Sequence, residues 1–484
     1  DRKKIPSMLK RGSLPYVTFL VLLSAVAAIP YKEPRLSTPE GTTKFSDTRA
    51  KIVATLPDHQ GGGVLTSKPV SGLCDTVAQN AGYFNVTTNT KHYFYWHFES
   101  RSMPATDPVI LWMTGGPGCS GSIALFNENG PCKVSSDKTT VKNPYSWNAN
   151  ASIIFVDQPA GTGFSYGAPS DIDSDEAGVS RDMYNFLQAF YAAHPKLLRN
   201  LLFIFGESYG GHYVPATALA VHHGNVNKAG THIPLAGLAI GNGLTAPEIQ
   251  YLYYSEMAYT SAVGPVVSKG TYQAMKLASQ LCVAQINMCQ KSEKACEAAF
   301  TFCALSQVSP VQATGLNLYD IREKCKNPPL CYDFSATESF LRDPQVVAEL
   351  GTEGHEWSAC NFMVNGRFHK DWMHGFGKAI PEMLEAGLKA LIYAGDVDFI
   401  CNYMGNKAWT LALDWAGKEG FNGEGDHKWM VGGKEAGLAR TFANFTFLQV
   451  YEAGHMVPLD QPERALSMVE TFVRGEAFYM NKKH

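Results

Sequence analysis

The chain has 484 residues, of which 45% are hydrophobic, 12% aromatic and 18% charged, with a formal net charge of −3. This is the composition of an ordinary globular chain without heptads, internal repeats or long low-complexity tracts. The charge balance gives no basic face of the kind nucleic-acid binding needs to release counterions. The length suits one large α/β domain or a domain with a substantial insertion, because single cores stop growing beyond about 250 to 300 residues.

Residues 1 to 28 read as a secretory signal. Lys10 and Arg11 precede an apolar stretch from Leu14 to Ala28 that ends in the small residues Ser24 to Ala28, giving the charged, apolar and cleavage regions of such a segment. The stretch is too short and too singly flanked for a transmembrane span, so no stable membrane anchor is expected after its removal. Residues 1 to 7, upstream of Met8, are set aside as an upstream artefact. Beyond residue 28 the chain carries 36 basic and 43 acidic residues, a net charge of about −7.

The pattern then alternates strands and helices. Residues 93 to 99 read as an early strand, 109 to 113 and 152 to 156 as short buried strands, and 177 to 193 as an amphipathic helix leading to an apolar run at 201 to 205. Further strands are expected at 237 to 240, 388 to 394 and 445 to 450. Strands separated by helical patterns imply a largely parallel sheet with helices on both faces. Between about 246 and 360 strands are few and cysteines dense, and this segment reads as a helical insertion capping the site. The expected organisation is a core in two parts, 29 to 245 and 361 to 484, separated by a cap at 246 to 360.

The eleven cysteines, in a chain with a signal segment, point to disulfides and leave at least one thiol unpaired. Cys282, Cys289, Cys296 and Cys303 recur every seven residues. Across a helical hairpin this spacing lets 282 meet 303 and 289 meet 296 as nested bridges. The absence of a C-x2-C pair or a histidine partner disfavours the alternative, a metal cluster. Sequons at Asn85, Asn150 and Asn444 suit the same secretory route.

The run at 201 to 205 leads directly into Gly206, Glu207, Ser208, Tyr209 and Gly210. An apolar strand, G-x-S-x-G and a helix-compatible segment make a nucleophile elbow, whose sharp turn needs glycines where neighbouring backbone comes close. A serine nucleophile needs a base to take its proton and a carboxylate to orient that base. On this type of α/β fold both follow the serine, each in a loop after a late strand. His455 stands after the strand at 445 to 450. His212, His222 and His223, on the helix after the elbow, lack such placement. The strand at 388 to 394 is followed by two carboxylates, Asp396 and Asp398, and spacing does not choose between them.

Seven segments together resemble the serine carboxypeptidases, the group of carboxypeptidase Y and lysosomal cathepsin A. They are GGPGCSG at 115 to 121, NPYSWN at 143 to 148, DQPAGTGFSY at 157 to 166, GESYGGHYVP at 206 to 215, GNG at 241 to 243, GDVDFICNYMGNKAW at 395 to 409 and AGHMVPLDQPERAL at 453 to 466. The resemblance covers nearly the whole chain after about residue 70. It implies an α/β-hydrolase fold, with a central, mostly parallel mixed sheet flanked by helices and a disulfide-rich helical cap over the active site. It also implies Ser208 as nucleophile, Asp398 as the triad acid, His455 as general base and acid, and an oxyanion hole from the N–H groups of Gly116 and Tyr209.

The resemblance implies binding of a free C-terminal carboxylate by Glu207, Glu128, Trp112, Gly115 and position 114, where Thr114 stands in place of the family's asparagine. A solvated loop charge is the alternative reading of Glu128. An ionised Glu207 would repel a carboxylate, so at least one proton must be shared among Glu207, Glu128 and substrate, and peptidase activity is expected to favour acidic pH. The implied disulfides are Cys119 with Cys360, Cys282 with Cys303, Cys289 with Cys296 and Cys325 with Cys331. Cys74 and Cys132 are left as a further pair that the family pattern does not establish. Cys401 and Met456 fall on an apolar leaving-group pocket.

The expected activity is hydrolysis of C-terminal residues from peptides and proteins through an acyl-enzyme, without metal or organic cofactor, in a lysosome, a vacuole or the extracellular space. A homodimer is within the family's range. An acyltransferase on the same fold, which the departure at Thr114 allows, and a protective partner of other lysosomal proteins are the alternatives; retention of the whole triad argues against a purely structural role.

Overall fold

The computed structural model describes residues 51–56 and 62–479. The expected signal at 1 to 28 and its cleavage region therefore lie outside the described residues.

The site is carried by a twelve-stranded mixed sheet among the described residues. Strands β1 (Ile52–Leu56), β2 (Gly63–Val70), β3 (Gln79–Val86) and β4 (His92–Phe98) form an antiparallel meander. After β5 (Val109–Met113), a small ribbon of β6 (Cys132–Val134) and β7 (Thr140–Lys142) stands apart from the sheet. Strands β8 (Ser152–Val156), β9 (Leu202–Glu207) and β10 (Leu235–Gly241) follow. A second ribbon, β11 (Leu316–Asn317) with β12 (Asp320–Lys324), belongs to the insertion. The sheet is completed by β13 (Lys389–Gly395), β14 (His427–Val431), β15 (Lys434–Phe442) and β16 (Phe445–Val450).

The sheet order is β1-β2-β3-β4-β8-β5-β9-β10-β13-β16-β15-β14. The six strands from β8 to β16 pair in parallel, and antiparallel strands flank them on both sides. The parallel strands are the ones with continuous apolar runs because both their faces are covered. In β5, Val109, Leu111 and Met113 enter one buried cluster, while Ile110 and Trp112 enter another. β9 divides likewise, with Ile204 facing one way and Phe203 and Phe205 the other. The strands expected at 93, 109, 152, 201, 237, 388 and 445 onward are all in this sheet, displaced at their ends by two residues at most.

Helix α1 (Gly121–Asn127) opens against β8, and α2 (Glu176–Ala193), capped by Asp175 accepting from the Gly178 N–H, carries the chain from β8 to β9. Helix α3 (Gly210–Val226) leaves the elbow. Between β10 and β13 the chain forms α4 (Pro247–Gln250) and α5 (Tyr254–Thr260), then folds α6 (Lys269–Cys289) against α7 (Cys296–Cys303) as a hairpin. Nested disulfides Cys282–Cys303 and Cys289–Cys296 clip that hairpin. Cys325–Cys331, Cys119–Cys360 and Cys74–Cys132 are also formed, and Cys401 is a buried free thiol.

Candidate active site

Ser208, Asp398 and His455 each stand just beyond the end of a buried parallel strand. At the end of β9 the chain turns through Ser208 at φ 64°, a left-handed conformation that costs a non-glycine residue free energy. The turn is held from outside: the Ser208 N–H donates to Gly241 O at 3.1 Å, and Ser208 O accepts from Gly211 N–H at 2.9 Å and Leu244 N–H at 3.0 Å. The flanking glycines have a steric reason. A Cβ at Gly206 would stand 2.5 Å from Met113 O, and one at Gly211 would stand 2.3 Å from Leu244 O.

Beyond β13, Asp398 is fully buried, and its Oδ2 accepts from His455 Nδ1 at 2.8 Å. The same carboxylate receives Asn242 Nδ2 at 2.8 Å and the Ile400 and Cys401 amides at 3.1 and 3.3 Å. His455 follows β16, and its backbone N–H is tied to Tyr319 O at 2.8 Å. With Nδ1 donating to Asp398, the remaining nitrogen, Nε2, is the basic one. Ser208 and His455 line one cavity. Asp396 makes no such contact: its Oδ1 has no hydrogen-bond partner, and burial pushes its carboxyl up to about 6. The choice that spacing left open therefore has a geometric difference behind it.

Residues 115 to 118 face the elbow. A Cβ at Gly115 would meet Tyr209 N at 2.3 Å, so glycine is the one residue that fits there, and Gly116 adopts φ 115°. Neither the Gly116 nor the Tyr209 N–H donates to another backbone group among the described residues. The loop is clamped by the segment that follows the insertion. Cys119 is bonded to Cys360, Asn361 N–H donates to Gly118 O at 2.8 Å, and Asn365 Nδ2 reaches Gly116 O at 3.2 Å. Next to Ser208, the Glu207 carboxyl meets that of Glu128, and both are buried. Neither Glu128 oxygen has another partner. Two carboxyls in contact bond only through a shared proton. Burial, then the neighbouring Glu128, holds Glu207 well above the usual carboxylate range, and burial pushes Glu128 up to about 7.

A family model described as serine carboxypeptidase matches residues 70–475. The chain belongs to the serine carboxypeptidase family. Serine carboxypeptidase-like 48 of Arabidopsis thaliana is 39% identical over 473 residues, covering 96% of this chain and 90% of the relative. Carboxypeptidase Y of Candida albicans is 40% identical, covering 93% and 82%. Among solved structures, the prohormone-processing carboxypeptidase Kex1 of Saccharomyces cerevisiae aligns with a TM-score of 0.74 at 25% identity, covering 89% of this chain and 97% of that one.

In this serine carboxypeptidase the cavity has a volume of about 290 Å³ and a largely apolar lining. Thr114, Gly115, Gly116, Glu207, Tyr209, Cys401 and Met456 are on its wall with Ser208 and His455. Trp112 and Glu128 are not. They stand behind the wall, Trp112 Nε1 donating to Thr114 Oγ1 at 2.9 Å and Glu128 meeting Glu207. Glu128 is buried, so the reading of it as a solvated loop charge is overturned.

The histidines of α3 are occupied elsewhere, His212 Nδ1 with Leu244 O at 2.6 Å and His223 with Glu382 at 2.7 Å. Asp398, Cys401 and His455 bring ligand-type atoms within 4.8 Å of one another. Two of those atoms are spent on each other, and burial holds the Cys401 thiol far above its ordinary pKa, which makes it a poor metal ligand. Of the three sequon asparagines, Asn444 donates both Nδ2 hydrogens to backbone, at Leu384 O (2.8 Å) and Leu388 O (2.6 Å).

The sequence left two groups of site residues unassigned. Asn242 bridges Asp398 to the Gly395 N–H, which its Oδ1 receives at 3.0 Å. Its one sequence signal is its place inside GNG. The aromatic wall of Tyr251, Tyr254, Phe300, Tyr319, Tyr332 and Trp372 comes from the insertion and the segment after it, where sequence order gives no clue to proximity.

Proposed function

We propose that this serine carboxypeptidase releases C-terminal residues through an acyl-enzyme on Ser208. His455 Nε2 takes the Ser208 proton as Oγ bonds to the scissile carbonyl carbon. The oxyanion is received by the Gly116 and Tyr209 N–H groups, donors typically worth about 3 kcal/mol each. The C–N bond breaks as His455 hands the proton to the leaving amine. Water then repeats the sequence, freeing the acid and restoring Ser208. Asp398, held by Asn242 and two amides, keeps the imidazole tautomer fixed and stabilises its charged form.

The observation that carries the exopeptidase reading is the buried Glu128/Glu207 pair beside Ser208. A protonated pair is a hydrogen-bond donor for a substrate carboxylate, and Thr114, whose oxygen is taken by Trp112, has its own hydroxyl hydrogen to offer. As pH rises past about 7 Glu128 gives up its proton first, and loss of the proton that Glu207 holds more tightly leaves a pair that repels the same carboxylate, so the activity falls on the alkaline side. Trp112 and Glu128 act from behind the wall, Cys401 and Met456 border the apolar leaving-group side, and the segment 246–360 is the cap. The five disulfides support a route through an oxidising secretory compartment.

Release of amino acid from a blocked dipeptide and from its C-terminal amide, between pH 4 and 8, tests this with the native chain and Ser208→Ala. Acid-favoured release from the free acid, abolished in the variant, is expected. Equal release from both substrates with an optimum above pH 8 contradicts the carboxyl-pair reading.

A further inference from the structure

The elbow carries a brace that the triad does not explain. Tyr209 begins α3 at φ −62° and ψ −9° with no side-chain hydrogen bond capping the helix start, directly after the strained Ser208. Its ring is buried in an aromatic slot, stacked on His212 at 4.2 Å between centroids, with Trp372 at 5.2 Å and Phe368 at 5.9 Å. The one polar atom of that ring, Oη, donates to Asp371 Oδ2 at 2.8 Å, and both residues are buried. The backbone N–H of Glu176, the first residue of α2, also lies near enough to favour the charged Asp371 carboxyl. One carboxyl group thereby ties the elbow to the loop that carries Trp372 into the cavity wall, beside the first turn of α2.

The geometry points to Asp371 and the Tyr209 hydroxyl as positioning residues that hold the Tyr209 N–H in register with the developing oxyanion. This rests on the reading in which Ser208 is the nucleophile and Tyr209 supplies an oxyanion donor. A donor contributes to rate only if it is fixed before charge develops, and displacement of a fraction of an ångström weakens it in the transition state far more than in substrate binding. Apolar packing sets the plane of the Tyr209 ring, but it is not directional along the ring's long axis. A directional hydrogen bond at the far end fixes the ring along that axis.

The test is Tyr209→Phe, Asp371→Ala and Asp371→Asn, with kcat expressed per active site titrated by a phosphonyl fluoride, and Ser208→Ala alongside. Tyr209→Phe and Asp371→Ala are expected to lower kcat about tenfold. In Tyr209→Phe, which leaves the ring and the Trp372 loop in place, KM should stay within twofold. Asp371→Asn keeps a carbonyl oxygen for the hydroxyl and should recover most of the loss. A reduced titratable fraction with normal kcat per site in both Tyr209→Phe and Asp371→Ala, or a rise in KM alone, overturns the proposal in favour of a folding role. An active Ser208→Ala overturns the underlying reading instead.

Discussion

At the scale of single residues, the proposed recognition of a substrate carboxylate turns on protons held between two side chains. Glu207 and Glu128 are buried, lack other partners for three of their four oxygens, and are both held above the ordinary carboxylate range. Replacing Glu207 with Gln leaves a donor that needs no proton. The alkaline limb of kcat/KM for a free-acid substrate should therefore move up by about one pH unit or more in Glu207→Gln, while the profile for the amide substrate moves less. An unmoved limb for the free acid would mean that the pair does not set it. The places of Ser208, Asp398 and His455 on the sheet were legible at this scale because each lies within five residues of the end of an apolar strand, and a loop after a strand is a fixed address on such a sheet. Asn242 carries no charge signature, and Asp371 lies in a segment without periodicity, so their contacts with Asp398 and Tyr209 emerge only when distant parts of the chain meet.

Elements were legible in proportion to how completely they are buried. The central strands β5, β8, β9, β13 and β16 are apolar at nearly every position because helices cover both faces, and their spans were readable within two residues. The flanking strands β2 and β3 alternate buried and half-exposed positions and mix in glycine, asparagine and lysine. Such short alternation, interrupted by polar and glycine positions, is weak in sequence. The α6–α7 hairpin was readable for another reason, the seven-residue cysteine period. It also serves the cavity, since Phe300 on α7 and Val308 just beyond it line the wall. Removing the bridge that closes 21 residues, by Cys282→Ser with Cys303→Ser, should cost about 3 kcal/mol locally. Because the triad sits on other elements, KM should rise severalfold with a smaller change in kcat. A fall in kcat at constant KM would separate the hairpin from substrate binding.

For the whole molecule, buried acids favour the fold toward acid, while the buried His97 and His212 and the partly buried His194, held far below their ordinary range by burial, oppose them. Burial pushes Glu128 and Asp371 up to about 7, and Asp157, Asp396 and Asp460 up to about 6, and it raises Glu176 and Glu207 well beyond the ordinary range. The opposite shift occurs at Asp75 and Asp426, where hydrogen bonds and ion pairs with Asn148 and Arg101, or with Lys407 and Arg440, outweigh burial. Each raised acid keeps in the folded state a proton that the unfolded chain releases near pH 4. The folded state then binds more protons than the unfolded one, and stability falls as pH increases. The contribution of these acids is complete below about pH 4 and is lost progressively as pH passes through 6 and 7, the range in which Glu128 titrates. The loss of this contribution and the proposed loss of carboxylate binding at alkaline pH thus share one physical cause, the burial of carboxyl groups. Thermal unfolding of the native chain between pH 4 and 8 should show a fall in Tm of about 5 to 10 °C from pH 6 to pH 8, with His97, His194 and His212 opposing further gain toward pH 4. A Tm that climbs steadily to pH 8 would show that these acids find compensating cations or water on folding, and would remove the link between stability and the acidic activity profile.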